Sequence, residues 1–94
     1  MILCMNTYRI RPGFMGRLLR DLRKSGIERA IAQLPGCLEF RFSVPIEEEN
    51  LLYLTDIWQD EDSFEHHLLA APTQTWAGLK DQYVEKSQLK QYNV

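Results

Sequence analysis

Alternating apolar and polar positions predict four β-strands along this chain. The strands cover Ile2 to Ile10, Leu38 to Val44, Leu51 to Trp58 and, with the weakest pattern, roughly Lys86 to Tyr92. The third stretch is apolar on both of its faces, which is typical of a central strand. The second stretch has one apolar face and one wetter face.

A long helical segment is predicted between the first two strands. It runs from about Phe14 to Leu34, with apolar residues three and four positions apart along one face. Gly26 lies inside this segment and is expected to kink or interrupt it, because glycine is unfavourable in a helix interior. Pro35 and Gly36 then end the segment.

A second helical segment is predicted after the third strand. Asp62, three residues before Glu65, is expected to cap its start, with Asp60 as the competing cap. Pro72 is expected to break this segment, because proline cannot continue a helix. Thr73 is then expected to cap a continuation that leads to the last strand.

The element order β-α-β-β-α-β predicts an α+β fold of the ferredoxin-like type, with residues 1–94 as a single domain. In this arrangement the third strand lies between the first and second. Cys4 and Cys37 therefore fall on non-adjacent strands, and no disulfide is expected between them. The helices cover only one face of the sheet. Because the central strand is apolar on both faces, we expect a homodimer whose two sheets pack together.

Charge and composition exclude several classes of function. The 94 residues carry a net charge of −2, and Arg17, Arg20, Arg23 and Lys24 fall opposite an apolar stripe at helical spacing. This placement is typical of a solvated helix face, so no nucleic-acid partner is expected. No apolar run approaches the roughly 18 residues of a membrane span, and the start of the chain lacks signal-peptide features. We therefore predict a cytoplasmic protein with no membrane partner.

The chemically richest segment lies where the third strand meets the second helical segment. Phe64 and His67 share one helical face, so His67 is expected to point toward the sheet and His66 toward water. An inward histidine titrates near neutral pH and is a candidate general base. The alternative is a core histidine that is hydrogen-bonded to the backbone or to an acid. No set of side chains has metal-ligand spacing, so no metal site is predicted.

Polar residues inside the strands are further candidates. Asn6 interrupts an apolar strand, and it is expected either to orient a substrate oxygen or dioxygen, or to bond to Asp56 or the backbone. Asp56 is expected either to hold His67 or to pair with an arginine such as Arg9. Trp58 either stacks on a substrate ring or fills the strand end as a hydrophobic plug.

Motifs at the element boundaries resemble those of the antibiotic biosynthesis monooxygenase (ABM) domain family. The motifs are Arg11-Pro12-Gly13, Pro35-Gly36-Cys37, the corner residues Trp58, Phe64, Glu65 and His67-Leu68, and Ala71-Pro72. The resemblance covers nearly the whole chain. It implies a dimeric α+β barrel, and it is specific for the fold rather than for one activity.

The branches of this family differ at the candidate site. Members that oxidise polyketide anthrones without a cofactor have a tryptophan at the position of Trp58. They also have a tyrosine and an asparagine where this chain has Phe64 and Leu54. Because the tryptophan is kept and both polar partners are replaced, the resemblance argues against a polyketide substrate.

Two other branches of the family also differ from this chain at the candidate site. Haem-degrading members have an asparagine at the position of Asn6, but they carry a tryptophan where His67 stands and an axial histidine near Ala77. Small quinol monooxygenases, and members that process small oxygenated metabolites, have a histidine at the position of His67. Many of these have a second histidine where this chain has Thr73. The resemblance therefore favours quinol chemistry over haem degradation.

Together, the residues and the resemblance predict a pocket between sheet and helices where dioxygen oxidises a small quinol or phenolic compound without a cofactor. His67 is the expected base, and Trp58 and Asn6 are the expected positioning groups. The expected substrate-binding residues are Phe64, Asp56, Leu54 and Trp76. Two alternatives stay open: a module that binds or senses a small metabolite without turnover, and an enzyme that isomerises or degrades a small signal metabolite.

Overall fold

A four-stranded antiparallel sheet with helices on one face forms the framework of the protein. The computed structural model describes residues 1–94. Its elements are β1 (Ile2–Ile10), α1 (Met15–Ser25), α2 (Ile27–Ala32), β2 (Cys37–Ser43), β3 (Leu51–Trp58), α3 (Glu61–Leu68), α4 (Ala71–Tyr83) and β4 (Val84–Asn93). The strand order is β2-β3-β1-β4, and every neighbouring pair is antiparallel. The predicted ferredoxin-like α+β fold, with β3 between β1 and β2, is confirmed.

The helical segment predicted from Phe14 to Leu34 consists of two helices, because Gly26 interrupts it. Gly26 has a φ of 68°, a left-handed conformation that glycine adopts without steric cost. Its N–H donates to the Leu22 carbonyl at 3.2 Å and closes α1. The second helix, α2, starts at the next residue and contributes Ile27 and Ile31 to the core.

The start of α3 is fixed by a side-chain cap. The Asp60 carboxylate accepts a hydrogen bond from the Ser63 N–H at 2.8 Å, so Asp60 rather than Asp62 is the N-cap. Glu61 and Asp62 occupy the first turn, where negative charge interacts favourably with the helix dipole. The chain direction at the corner between β3 and α3 therefore follows from four consecutive polar residues, 60–63.

The break between α3 and α4 lies at residues 69–70, just before Pro72. Pro72 falls in the first turn of α4, where a missing N–H costs no helical hydrogen bond. The predicted cap at Thr73 is wrong, because α4 begins at Ala71 and Thr73 lies inside its first turn. The last strand begins at Val84, directly after α4. None of the helices has both the length and the hydropathy needed to cross a membrane.

The hydrophobic core lies between the sheet and the helices. Its buried side chains are Ile2, Cys4, Tyr8, Ile10, Leu18, Leu22, Ile27, Ile31, Phe40, Leu52, Leu54, Trp58, Trp76 and Tyr83. Those from β1 and β3 come from alternate positions, as expected for a sheet with one covered face. On the opposite face, Met5 of β1 is 48 % exposed. The predicted homodimer would cover this face, and it stays a prediction.

Gly36 lies where the loop before β2 meets α3, and its φ is 79°. A Cβ at this position would overlap the Ser63 side chain, whereas Gly13, with a φ of 87°, has open space around it. We expect Gly36→Ala to destabilise the protein by about 1–3 kcal/mol more than Gly13→Ala, because overpacking adds to the cost of a positive φ. Urea denaturation of both variants measures the difference. Equal losses of stability would contradict this close approach.

Candidate active site

A cavity of about 190 Å³ lies between the sheet and the helices α3 and α4. Six of the seven residues that the sequence pointed to line it together. They are Asn6, Leu54, Asp56, Phe64, His67 and Trp76. The seventh, Trp58, is fully buried beneath His67 and does not line the cavity. Leu68 and Leu89, both exposed, lie at its open side.

Strand register explains why these residues meet. Asn6 lies opposite Leu54 in the pairing of β1 with β3, and Cys4 lies opposite Asp56. Side chains at alternate positions of a strand point to the same face, and directly opposed residues are neighbours across the pair. The four side chains therefore form one patch on the helix-covered face of the sheet. The helix α3 then places Phe64 and His67 over this patch.

Asp56 is the centre of the hydrogen bonds in the cavity. The Trp58 Nε1–H donates to its Oδ2 at 2.8 Å, and the Asn6 Nδ2–H donates to its Oδ1 at 3.2 Å. The Asn6 amide also donates to the Leu54 carbonyl at 3.4 Å. Of the alternatives open for Asn6, the bond to Asp56 and the backbone is the one present. The expected partners of Asp56, His67 or Arg9, are both wrong, since its hydrogen bonds come from Asn6 and Trp58.

The environment of Asp56 shifts its titration toward neutral pH. The side chain is only 4 % exposed. Burial raises the pKa of Asp56 from 3.8 to about 6, because a carboxylate loses hydration there. Hydrogen bonds from Trp58 and Asn6, and the charge of Lys80, act in the opposite direction on this pKa. The carboxyl group therefore changes its charge close to physiological pH.

Asp56→Asn is expected to change how stability depends on pH. Because the folded-state pKa of Asp56 is raised, its protonated form stabilises the protein at acid pH. That contribution is lost as pH rises from about 4 to about 6. Relative to the variant, the wild type should lose about 3 kcal/mol across this window. Urea denaturation between pH 4 and 7 measures it, with Asp81→Asn as the control that removes an exposed carboxylate. A difference that does not vary with pH would contradict the raised pKa.

His67 is oriented by two contacts. Its ring stacks on Trp58 with the centroids 4.1 Å apart and the planes 16° apart. Its Nδ1 bonds to the Phe64 carbonyl oxygen. A carbonyl can only accept, so Nδ1 carries the proton and the neutral ring has its free lone pair at Nε2. Burial lowers the pKa of His67, and the bond to Phe64 opposes this shift. The ring is therefore neutral at pH 7, with Nε2 able to accept a proton.

The stack on His67 bears on the role expected for Trp58. One face of the indole is covered by His67, and its N–H is used by Asp56. In this structure Trp58 therefore orients the base and the acid rather than offering an open face to a ring. The stack joins Trp58 of β3 to His67 of α3, and the hydrogen bond joins Trp58 to Asp56, two residues earlier on the same strand. The contact between the two elements depends on how α3 packs on the sheet, which sequence spacing alone does not specify.

Sequence reasoning missed the polar groups that α4 brings to the cavity. Thr73 and Lys80 line it beside Trp76, and the Thr73 hydroxyl and Trp76 indole N–H are buried without a hydrogen-bond partner. The Tyr8 hydroxyl lies near the Trp76 N–H without reaching hydrogen-bond geometry, and burial raises the pKa of Tyr8. The spacing of three and four residues between Thr73, Trp76 and Lys80 was the available signal.

No group of three or more histidine, cysteine, aspartate or glutamate side chains is placed to hold a metal ion. Cys4, which lines the cavity, and Cys37 are both free thiols. Burial raises the pKa of the Cys4 thiol to about 11, with the charge of Asp56 as a smaller cause. The thiol is therefore protonated at neutral pH and is a poor nucleophile.

Fold and site together define an α+β protein of the ferredoxin-like class with a small cavity between its sheet and the helices α3 and α4. The family model for "Antibiotic biosynthesis monooxygenase" matches residues 1–78. The chain belongs to the antibiotic biosynthesis monooxygenase family. This confirms the family that the boundary motifs indicated. No curated protein sequence matches the chain.

Solved structures share the fold at low sequence identity. A Nitrosomonas europaea protein named for the same family has a TM-score of 0.89 at 12 % identity, over 100 % of this chain and 98 % of its own. A Pseudomonas aeruginosa protein has a TM-score of 0.86 at 18 % identity, over 99 % and 92 %. A conserved Methanosarcina mazei protein has a TM-score of 0.83 at 20 % identity, over 98 % and 90 %. At such identities the likeness shows the fold alone.

Proposed function

We propose that the protein is a cofactor-independent monooxygenase that oxidises a small quinol or phenolic compound with dioxygen. One observation carries the proposal: a neutral imidazole, His67, and a buried carboxylate, Asp56, line a single small cavity. Membership of the monooxygenase family supports this reaction class. Titratable groups with shifted pKa values in one cavity are typical of acid–base sites.

The volume of the cavity matches one aromatic ring. A cavity of roughly 150 Å³ holds a benzene molecule. The present cavity of about 190 Å³ therefore holds one ring with small substituents. A polycyclic substrate would extend beyond this volume through the open side, past Leu68 and Leu89. Phe64 and Leu54 give this cavity apolar walls, which favour the flat face of an aromatic ring.

The proposed chemistry begins with a proton transfer. His67 Nε2 takes the proton of a ring hydroxyl, and the resulting anion is electron-rich enough to pass an electron to dioxygen. Recombination forms a carbon–oxygen bond. One oxygen atom stays on the ring and the other leaves as water, with both of the required electrons supplied by the quinol. The product is a hydroxyquinone, and dioxygen is the only co-substrate.

The residues in and around the cavity have supporting roles in this proposal. Trp58 and Asn6 are positioning groups: they hold Asp56 by hydrogen bonds, and Trp58 also supports the ring of His67. The carboxylate of Asp56 adds negative charge to the cavity, which favours the protonated imidazole that forms during the transfer. Enclosure by Phe64 keeps water from the oxygenated intermediate.

Oxygen uptake tests the proposal directly. Purified protein is mixed with a panel of hydroquinones and phenols in the presence of a chelator and without added cofactor. We expect uptake above autoxidation, with one dioxygen consumed for each quinol lost and the label of ¹⁸O₂ found in the product. Flat traces over the panel, or uptake that yields only hydrogen peroxide and unlabelled quinone, would remove the monooxygenase proposal.

A module that binds a metabolite without turnover is the second candidate. The observation in its favour is that the hydrogen bonds of Asn6 and Trp58 are directed at Asp56, so neither donor is free for a substrate. For this candidate, compounds of the same panel should raise the unfolding temperature while oxygen traces stay flat. Turnover above background would exclude it.

A second copy of the chain is the proposed partner. The sheet face without helices carries Met5, Tyr53 and Ile57, and β3 beneath it is a central strand. Two such faces packed across a two-fold axis would remove this apolar surface from water. Sedimentation equilibrium should give twice the mass of the chain. Met5→Glu should halve that mass, whereas Leu69→Glu, at an exposed position outside the sheet, should not. A monomeric wild type would contradict the pairing.

A further inference from the structure

The helix α4 contributes polar groups to the cavity of Asp56 and His67 that the proposed reaction leaves unused, and we call this part of the lining the α4 end. Thr73, Trp76 and Lys80 of α4 line this end from one helical face. The Thr73 hydroxyl and the Trp76 indole N–H, on a side chain that is 3 % exposed, have no hydrogen-bond partner. Buried polar groups in native proteins are almost always paired. Two unpaired groups lining one cavity therefore indicate a ligand that supplies the acceptor.

Lys80 adds a positive charge at the same end. Its Nζ lies 5.7 Å from the ring centroid of Trp76 and 6.0 Å from that of Tyr8, so the ammonium group rests against two aromatic rings. Among the residues that line the cavity, Lys80 is the only cation and Asp56 is the only acid. The charge of Lys80 lowers the pKa of Asp56, but the hydrogen bonds to this acid come from Asn6 and Trp58.

We propose that this end of the cavity binds the carboxylate of an aromatic acid whose ring hydroxyl reaches His67. A carboxylate only accepts hydrogen bonds, and its two oxygens match the set offered by the Trp76 N–H, the Thr73 hydroxyl and the Lys80 ammonium. A neutral quinol has no group that would use the charge of Lys80. The substrate class is then a single-ring hydroxylated aromatic acid. For turnover, this inference rests on the proposed function, whereas binding of the acid does not.

Anaerobic titration calorimetry separates binding from turnover. The probes are gentisate, which is hydroquinone carrying one carboxylate, and methyl gentisate, which has the same ring without the charge. We expect gentisate to bind about tenfold more tightly or better, because hydrogen bonds to a charged group are the stronger ones. Equal affinity of the acid and the ester, or no binding of either, overturns the proposal.

Two variants test the residues. Lys80→Met keeps the apolar stem and removes the charge, and it should weaken gentisate about tenfold or more while leaving methyl gentisate unchanged. Lys86→Met removes an exposed lysine of β4 outside the cavity and should change neither affinity. A Lys80→Met variant that binds gentisate as the wild type does, or that weakens both probes equally, overturns the role of Lys80.

Thr73→Val separates a ligand-binding role of the Thr73 hydroxyl from a purely structural one. Valine has the shape of threonine without the hydroxyl, so the ligand-free variant should unfold at a temperature equal to or above that of the wild type. Its affinity for gentisate should nevertheless fall. A variant that loses both ligand-free stability and affinity for the acid and the ester alike would show that the hydroxyl is structural, which overturns its assignment to the carboxylate.

Failure of this inference and failure of the proposed function give different results. Tight gentisate binding that requires Lys80, together with flat oxygen traces, keeps the carboxylate site and removes the oxygenase. Oxygen uptake on neutral hydroquinones, without any preference for gentisate, keeps the oxygenase and removes the carboxylate site.

Discussion

Replacing His67 with alanine is expected to lower kcat for quinol-dependent oxygen uptake by about 100-fold to 10,000-fold, the range that a positioned general base contributes. The bond from Nδ1 to the Phe64 carbonyl leaves Nε2 as the proton acceptor, and burial lowers the pKa of His67 so that the ring is neutral at pH 7. Without this acceptor the ring hydroxyl keeps its proton and the electron-rich anion does not form. Steady-state rates in an oxygen electrode measure the change.

His66→Ala is the matched control for this prediction. His66 is the neighbouring residue in α3, it is exposed, and it does not line the cavity. Its replacement should leave kcat unchanged. If His67→Ala were to keep the rate of the wild type, the base would have to be Asp56, the only carboxyl group in the cavity.

If His67 is the general base, the rate should fall as the pH is lowered. Because burial lowers the pKa of His67 below its ordinary value of 6.5, its Nε2 is mostly unprotonated at pH 7. The pH profile of kcat/KM should therefore fall toward acid pH with a midpoint below 6.5, as Nε2 takes a proton. A fall centred above 6.5 would contradict the burial of this histidine.

The fold was predictable from the sequence because the first three strands have clear apolar patterns and the order of the elements is recognisable. The apolar character of both faces of Leu51–Trp58 placed it at the centre of the sheet, and the β-α-β-β-α-β order left one common topology. The helix ends were harder to predict. Asp60 and Asp62 both fit the pattern of an N-cap, and only the geometry of the corner shows that Asp60 reaches the Ser63 N–H.

The contents of the cavity were predictable, but their contacts were not. Alternation alone placed Asn6 and Asp56 on the covered face, and helical spacing placed His67 above them. The hydrogen bond from Asn6 to Asp56 depends on the register between β1 and β3, which the residue pattern does not specify. The position of Lys80 over two rings depends on how α4 packs on the sheet. Such contacts follow from long-range packing, so only the structure shows them.

Trp58→Ala is expected to have the largest effect on stability, a loss of about 3–5 kcal/mol. The side chain is fully buried in the core, and its ring supports His67. Truncation leaves a cavity of nearly the size of the indole, and it removes the hydrogen bond that the indole N–H donates to Asp56. Folded domains are stable by about 5–15 kcal/mol in total, so this loss is a large share. Urea denaturation at pH 7 measures it.

Trp58→Phe separates the packing of Trp58 from its hydrogen bond. Phenylalanine keeps an aromatic ring against His67 but has no N–H, so the loss should be about 1–3 kcal/mol, the cost of an unpaired buried acceptor. Because the indole N–H stabilises the ionised carboxyl, its removal should raise the pKa of Asp56 above about 6. The pH range over which the variant loses stability should then extend to higher pH. An NMR titration of the Asp56 carboxyl group measures the same pKa directly. An unchanged pKa of Asp56 in this variant would show that the indole bond does not hold the carboxylate, and the positioning role of Trp58 would then reduce to its stack on His67.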